Sequence, residues 1–367
     1  MNTSENKYRF LIGAGGTGGH LYPALAVADK IKELLPESEF LFIGSKDKIE
    51  AKVVPAKGYN FKSIIISGFS RKMNLQNLLF PFKMITGFTQ ALLLAIKFKP
   101  HVVIGAGSYV SGPVVWAGAF MGAKAILLEQ NSYPGITNRL LEKKAEEIFI
   151  SFDESRKYFR FPEKLTLSGN PIRPDFKLID KNKAKEKLQI SKEKKTVFIV
   201  GGSLGAKSIN EAVEKNLEKL KSLNINILWQ SGKYYYERFM KYNSESVRVV
   251  DFIDEIALYY SAADLILARA GATTIAELSY LGLPAILIPS PNVAAEHQYK
   301  NASALKDIGA AELVKDENIA DELFEKVKSL LYDKNKLELL SKNIKNFGKH
   351  DAAEVIAKKA IKYAQVF

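Results

Sequence analysis

The sequence predicts an α/β protein built from two doubly wound parallel-sheet domains, and two observations carry that prediction. A strand, a glycine-rich turn and a helix open the chain over residues 8–35, and the same pattern restarts at residues 196–220. Near the end, over residues 264–301, a short apolar strand runs through Ala270-Gly271-Ala272 into a helix that stops at Gly282. The boundary is expected at Ser168-Gly169-Asn170-Pro171-Ile172-Arg173-Pro174, where Gly, Asn and two prolines break structure. Domains over 1–172 and 173–350 follow, facing across a cleft, with a helix over 351–367 packing back on the first.

Composition bounds the function. The 367 residues suffice for two cores, and 47% hydrophobic with 25% charged residues makes the chain globular. There is no cysteine, which excludes disulfides and thiolate–metal sites. The first ten residues, MNTSENKYRF, lack a signal-peptide pattern. Lys83, Gln90 and Lys124 interrupt the apolar stretches, so none offers the roughly 20 unbroken apolar residues of a spanning helix. A cytoplasmic protein is expected. A net charge of +13 and a pI near 9.4 point to an anionic partner. Without an Arg-rich arm or a recognised motif, nucleic acid ranks below an anionic membrane or a phosphorylated substrate.

Taken in order, residues 8–14 (YRFLIGA) read as a strand, followed by Gly15-Gly16-Thr17-Gly18-Gly19-His20 and a helix over 22–35 with Pro23 near its start. Residues 40–44 are a second strand. The stretch that opens at Ile64 and closes at Lys99 mixes Leu78, Phe80, Phe82, Met84 and Phe88 with Arg71, Lys72 and Lys83. That mixture suits a face lying on an anionic membrane, although a plain core helix fits too, above all over 91–96. Residues 101–105 form a strand that ends in a second glycine loop, GAGSYVSG. Residues 124–129 form another, ending at Glu129, Gln130 and Asn131. Ligands in open α/β sheets sit at the carboxyl ends of strands, so His20, Ser108, Tyr109, Glu129 and Asn131 should converge. After a Lys-rich helical stretch to about 194, a strand over 196–200 leads into a third glycine loop, GGSLGA, and a helix over 207–220. Strands over 225–230, 247–252, 264–268 and 285–288 complete the second sheet.

The corner at Ala270-Gly271-Ala272 places backbone N–H groups and the positive end of a helix dipole together, which suits a diphosphate. Glu277, four residues after Thr273 on the same helix face, can accept hydrogen bonds from the two hydroxyls of a ribose. Glu296, His297, Gln298 and Asn301 form a polar cluster suited to sugar hydroxyls. No G-x-S-x-G elbow, P-loop or Asp-x-Asp is present, so neither a nucleophile triad nor a metal held by that last motif is indicated. A metal-free glycosyl transfer fits best, with Arg173 and the helix at Thr273 stabilising a departing diphosphate.

GGTGGHLYPALAVA, GAGSYVSGP, LLEQNSYPGITNRLL, GNPIR, GGSLGA, WQSGK, FID and ARAGATTIAEL followed by HQYKNA resemble the MurG family, in order and over almost the entire chain. The resemblance implies a GT-B fold of two Rossmann-like domains. It implies inverting transfer of GlcNAc from UDP-GlcNAc to the 4-hydroxyl of MurNAc in undecaprenyl-diphospho-MurNAc-pentapeptide (lipid I), giving lipid II and UDP. It also implies a peripheral enzyme on the cytoplasmic face of the plasma membrane, no metal or other cofactor, and links to other cell-wall synthesis proteins. By position, Thr17, Gly18, Gly19 and Asn131 contact the donor from the first domain. Arg173, Ser203 and Ile253 contact its nucleotide, Ala272 and Thr273 its diphosphate, Glu277 its ribose and Gln298 its GlcNAc. Gly16, Ser108, Tyr109 and Asn301 fall to the acceptor. His20 is the first candidate for the catalytic base, or else a ligand of the acceptor diphosphate, and Glu129 is the second candidate. Leu204 departs from the polar residue many relatives carry in the third loop, so no side-chain bond to the donor arises there.

Two other readings stand beside this one: a GT-B transferase acting on another lipid such as a diacylglycerol, and a non-catalytic nucleotide-sugar-binding scaffold at a membrane. The first two glycine loops favour a diphosphate-linked acceptor over the former. His20, Glu129, Glu277 and Gln298 together argue against the latter.

Overall fold

A computed structural model describes residues 7–67, 80–172, 176–202 and 204–366. The chain divides into two compact units, one over 1–174 and 350–367, the other over 175–349.

The first unit carries seven strands: β1 (Arg9–Gly13), β2 (Glu39–Gly44), β3 (Asn60–Ser63), β4 (Val102–Gly105), β5 (Lys124–Glu129), β6 (Glu147–Ile150) and β7 (Leu165–Leu167). They pair in parallel in the order β3-β2-β1-β4-β5-β6-β7. The second unit has β8 (Thr196–Val200), β9 (Asn226–Gln230), β10 (Val247–Val250), β11 (Leu265–Ala268), β12 (Ala285–Leu287) and β13 (Glu312–Leu313), in the order β10-β9-β8-β11-β12-β13, again all parallel. Helices cover both faces of such sheets, so central strands read as unbroken apolar runs: VVIG, TVFIV and LILA are buried at every position.

Strand order reverses between β1 and β4 in one unit and between β8 and β11 in the other. Gly13 lies opposite Gly105 in the first pair and Val200 opposite Ala268 in the second. These are the switch points where the loops on either side part and leave room for a ligand. Close packing sharpens the first one. A Cβ built on Gly105 would lie 2.6 Å from Val115 Cγ2, and one on Gly118 2.6 Å from Val103 Cβ, so the helix Ser108–Phe120 rests directly on the sheet.

Two helices begin earlier than the glycine runs suggest. The first spans Gly18–Leu34, not 22–35, which puts Gly18, Gly19 and His20 in its opening turn. The other starts at Ser108, inside the second glycine loop. The Lys-rich stretch is helical only over Lys181–Lys187, and Gln189 at φ 51° ends it. The helix Ala272–Leu281 ends as expected on Gly282, left-handed at φ 67°. The helix Phe80–Phe98 buries Ala91 and Ala95 but leaves Phe82, Ile85, Leu93 and Ile96 exposed. Residues 68–79 of the basic aromatic stretch, Arg173 and Ser203 lie outside the described residues. The helix Ala352–Gln365 belongs to the first unit and shares a core with the helix Gly18–Leu34.

Candidate active site

In the first unit, the loop after β1 turns through Gly16 at φ 81° and enters its helix at Thr17, which stands at the N-cap position with its side chain capping no amide. The loop is braced from below by Glu50. This fully buried carboxylate accepts the N–H of Gly16 (3.0 Å) and of Ser45 (2.8 Å) and fills the space that side chains on Gly15 and Gly44 would need. A pocket of about 670 Å³ opens above, lined by Gly16, Thr17, His20, Ser108 and Tyr109 together with Lys46, Lys48 and Lys83. Ser108 takes a left-handed φ of 66°, uncommon for a residue with a Cβ, and Tyr109 Oη lies 3.2 Å from Ser45 Oγ. Of the five residues expected to converge, His20, Ser108 and Tyr109 line this pocket and Glu129 and Asn131 do not; Lys46 and Lys48 had no expected role, and Lys83 was expected on a membrane face.

His20 presents Nδ1 to the carbonyl of Ala106 and to Gln130 Oε1, each at 3.0 Å. Burial pushes its imidazole below the ordinary histidine value, against the pull of those two hydrogen bonds. Nε2 makes no hydrogen bond among the described residues.

Glu129, the second candidate base, is held within its own loop. It is buried, and its carboxylate accepts the N–H groups of Asn131 (3.0 Å) and Gly135 (2.9 Å) and the Asn138 amide (2.9 Å). Burial raises its pKa in spite of these bonds. A carboxylate so occupied shapes the loop over 129–138 and places Asn131.

In the second unit, β11 leads through Arg269 and Ala270 to Gly271, the N-cap of the helix Ala272–Leu281. The Gly271 backbone is extended, no side chain caps the helix, and Thr273 Oγ1 is buried without a partner among the described residues. A buried hydroxyl at a positive helix end is poised for an anion. Arg269 holds the corner by donating to the Ile288 carbonyl (3.2 Å), to Ser208 Oγ (2.8 Å) and to Asp316. Glu277, one turn on, accepts the Tyr260 hydroxyl at 3.2 Å. Gln298 Oε1 accepts the Ser290 N–H at 2.8 Å. Ile253 lies half-buried in the loop after β10. Gly205 of the third glycine loop and Gly232 after β9, both at positive φ, pass so closely that a Cβ on Gly205 would meet the Ser231 carbonyl and one on Gly232 the Gly205 backbone. Leu204 is exposed.

Asn301, expected at the acceptor, lies inside the second unit. It is fully buried and its amide donates to the Ala270 carbonyl at 3.3 Å, so it supports the corner from within the core. Glu50, Arg269 and Asp316 escaped the sequence reading, and Gln130 was quoted without a role. Their partners are distant in the chain, and no local pattern marks them.

Strand-end corners of this kind, at the switch points of two parallel sheets, belong to the GT-B class of fold. The glycosyltransferase family 28 N-terminal domain model matches residues 10–150 and the family 28 C-terminal domain model matches 196–356. The chain belongs to glycosyltransferase family 28. It is 44% identical to a Cytophaga hutchinsonii protein over 97% of this chain and 96% of that one, and 42% identical to one from Flavobacterium psychrophilum over 98% of each. Both carry the name UDP-N-acetylglucosamine–N-acetylmuramyl-(pentapeptide) pyrophosphoryl-undecaprenol N-acetylglucosamine transferase. Among solved structures, Acinetobacter baumannii MurG superposes with a TM-score of 0.77 at 25% identity, covering 97% of this chain and 99% of that one. The calicheamicin glycosyltransferase CalG4, at 12% identity and TM-score 0.71 over 98% and 99% of the two chains, shares the fold.

Proposed function

We propose that this protein transfers GlcNAc from UDP-GlcNAc to the 4-hydroxyl of MurNAc in undecaprenyl-diphospho-MurNAc-pentapeptide, forming lipid II and UDP with inversion. The observation that carries the reading is the placement of His20: a half-buried imidazole at the rim of a lysine-lined pocket, with both of its hydrogen bonds made through Nδ1 and its pKa pushed down by desolvation. Nε2 takes the proton of the acceptor hydroxyl as its oxygen attacks the anomeric carbon, and the bond from that carbon to the UDP oxygen breaks. Lys46, Lys48 and Lys83 suit the diphosphate of the lipid-linked acceptor. The start of the helix Ala272–Leu281, with Thr273, receives the departing diphosphate of UDP without a metal. Glu277 binds the ribose hydroxyls, Gln298 the GlcNAc, and Asn131, Thr17, Gly18 and Gly19 the donor from the first unit. Arg173, Ser203 and Ile253 are assigned to the nucleotide by resemblance.

No described helix is long and apolar enough to cross a membrane. Phe82 and Ile85, about two-thirds exposed on a helix that also carries Lys83, support peripheral attachment to an anionic leaflet at the cytoplasmic face. Other cell-wall synthesis proteins are expected partners there. The test is UDP release from UDP-GlcNAc with and without a soluble lipid I analogue. Release that depends on the analogue, with a disaccharide product, supports the reading. Release only with a different lipid acceptor, such as a diacylglycerol, overturns the acceptor.

A further inference from the structure

Gln130 takes no part in bond making in this mechanism, yet its amide has a single orientation open to it. Its Nε2 lies 3.1 Å from the Ala106 carbonyl and 3.3 Å from the Leu128 carbonyl. Both are acceptors only, so this end of the amide is the NH2. Oε1 therefore faces His20 Nδ1, 3.0 Å away, while the Ala106 carbonyl stands 3.0 Å from the same nitrogen. A ring nitrogen held between two acceptors carries the proton. Gly107, at φ 85°, closes the contact: a Cβ built there would lie 2.7 Å from His20 Nδ1 and 3.4 Å from Gln130 Oε1.

We propose that Gln130 is a positioning residue that locks His20 as the Nδ1–H tautomer, leaving the Nε2 lone pair to accept the substrate proton. The inference rests on His20 being the base. In the step itself the acceptor hydroxyl proton moves to Nε2, and Nδ1–H keeps donating to Gln130 and Ala106. The imidazolium then returns the Nε2 proton to solvent. The choice of an amide has a consequence. A carboxylate in its place would fix the same tautomer but would also stabilise the charged ring and hold it protonated at neutral pH. A neutral acceptor sets the tautomer and leaves burial to keep the ring basic only weakly. The ionisable side chains that share the pocket with the ring are Lys46, Asp47, Lys48, Lys83 and Tyr109; Glu129, adjacent to Gln130, is taken up by its own loop. None of them forms an ion pair with the ring among the described residues.

The test uses the full chain labelled with 15N-histidine, whose four histidines are assigned with the help of His20→Ala. NMR reports the tautomer and pKa of His20, and turnover is followed against pH with UDP-GlcNAc and a soluble lipid I analogue. The wild type should show Nδ1–H. Gln130→Met should populate both tautomers and lose roughly 10- to 100-fold in kcat with UDP affinity unchanged. Gln130→Glu, close in shape and the safeguard should Gln130→Met misfold, should raise the His20 pKa and carry the acid limb of the rate profile upward with it. An Nε2–H tautomer in the wild type, or a His20 pKa unmoved in folded Gln130→Glu, overturns the proposal. If tautomer and pKa behave as stated but the rate profile stays put, Gln130 still fixes the tautomer, while the assignment of His20 as base falls and with it the role of Gln130 in the reaction.

Discussion

The two strand-to-helix corners use one piece of backbone geometry for opposite ends. In the first unit the loop at Gly15 and Gly16 is already occupied from within: Glu50 takes the Gly16 amide, and the opening turn of the helix delivers a side chain, His20, to the pocket. In the second unit the corner at Ala270 and Gly271 keeps its charge-attracting end open, with no side-chain cap and the Thr273 hydroxyl buried without a partner. Its bracing comes from behind, through Arg269 and Asn301. A helix start whose loop is braced by a carboxylate serves to aim a group. A helix start left uncapped serves to hold an anion.

The largest expected effect sharpens that contrast. His20→Ala should cost on the order of 100- to 10,000-fold in kcat while UDP binding, measured by calorimetry, is unchanged. A parallel loss of UDP affinity would break the division of labour. Glu277→Ala should act on the other side: UDP-GlcNAc affinity about tenfold weaker, about 1.4 kcal/mol, with kcat at saturating donor largely retained. The third prediction concerns pH. The neutral ring is the active form, and burial lowers its pKa from 6.5, so activity should persist below pH 6.5 and decline only as the pH falls through the lowered value. An acid limb above 6.5 in the profile of kcat/KM counts against His20. The smallest effect compares the glycines. Gly16→Ala forces a Cβ into a left-handed backbone and should cost about 1–2 kcal/mol in urea unfolding. Gly271→Ala, at φ −69° with its nearest neighbour 3.8 Å from the new Cβ, should leave stability within about 0.5 kcal/mol yet weaken UDP binding.

Much of the fold was legible because buried parallel strands announce themselves as short apolar runs, as at TVFIV and LILA. Helix starts hidden in glycine runs were not: Gly18 and Gly19 have poor helix propensity, but the opening turn of a helix tolerates them when the next residues carry it. The site was legible where residues follow a strand directly, as His20, Tyr109 and Thr273 do. It was illegible where two distant stretches meet. Gly16 and Glu50 are 34 residues apart, Arg269 and Asp316 47, His20 and Gln130 110, and no local pattern ties one to the other. Burial is equally invisible in sequence: Glu129 and Asn301 look like ligand-facing polar groups there, and in the structure both are buried and hydrogen-bonded to backbone.

The helix Ala352–Gln365 sets an order of events during synthesis. It covers Ala24, Val27 and Ala28 of the helix Gly18–Leu34 with Ile356, Ala360 and Ala364, although the whole of the second unit is made in between. At ribosomal speed that interval is on the order of ten to thirty seconds. The second unit, continuous in the chain, can finish folding first, while the earlier-made half waits with an apolar flank uncovered. The core of the first unit can therefore close only after the whole of the second unit has been made.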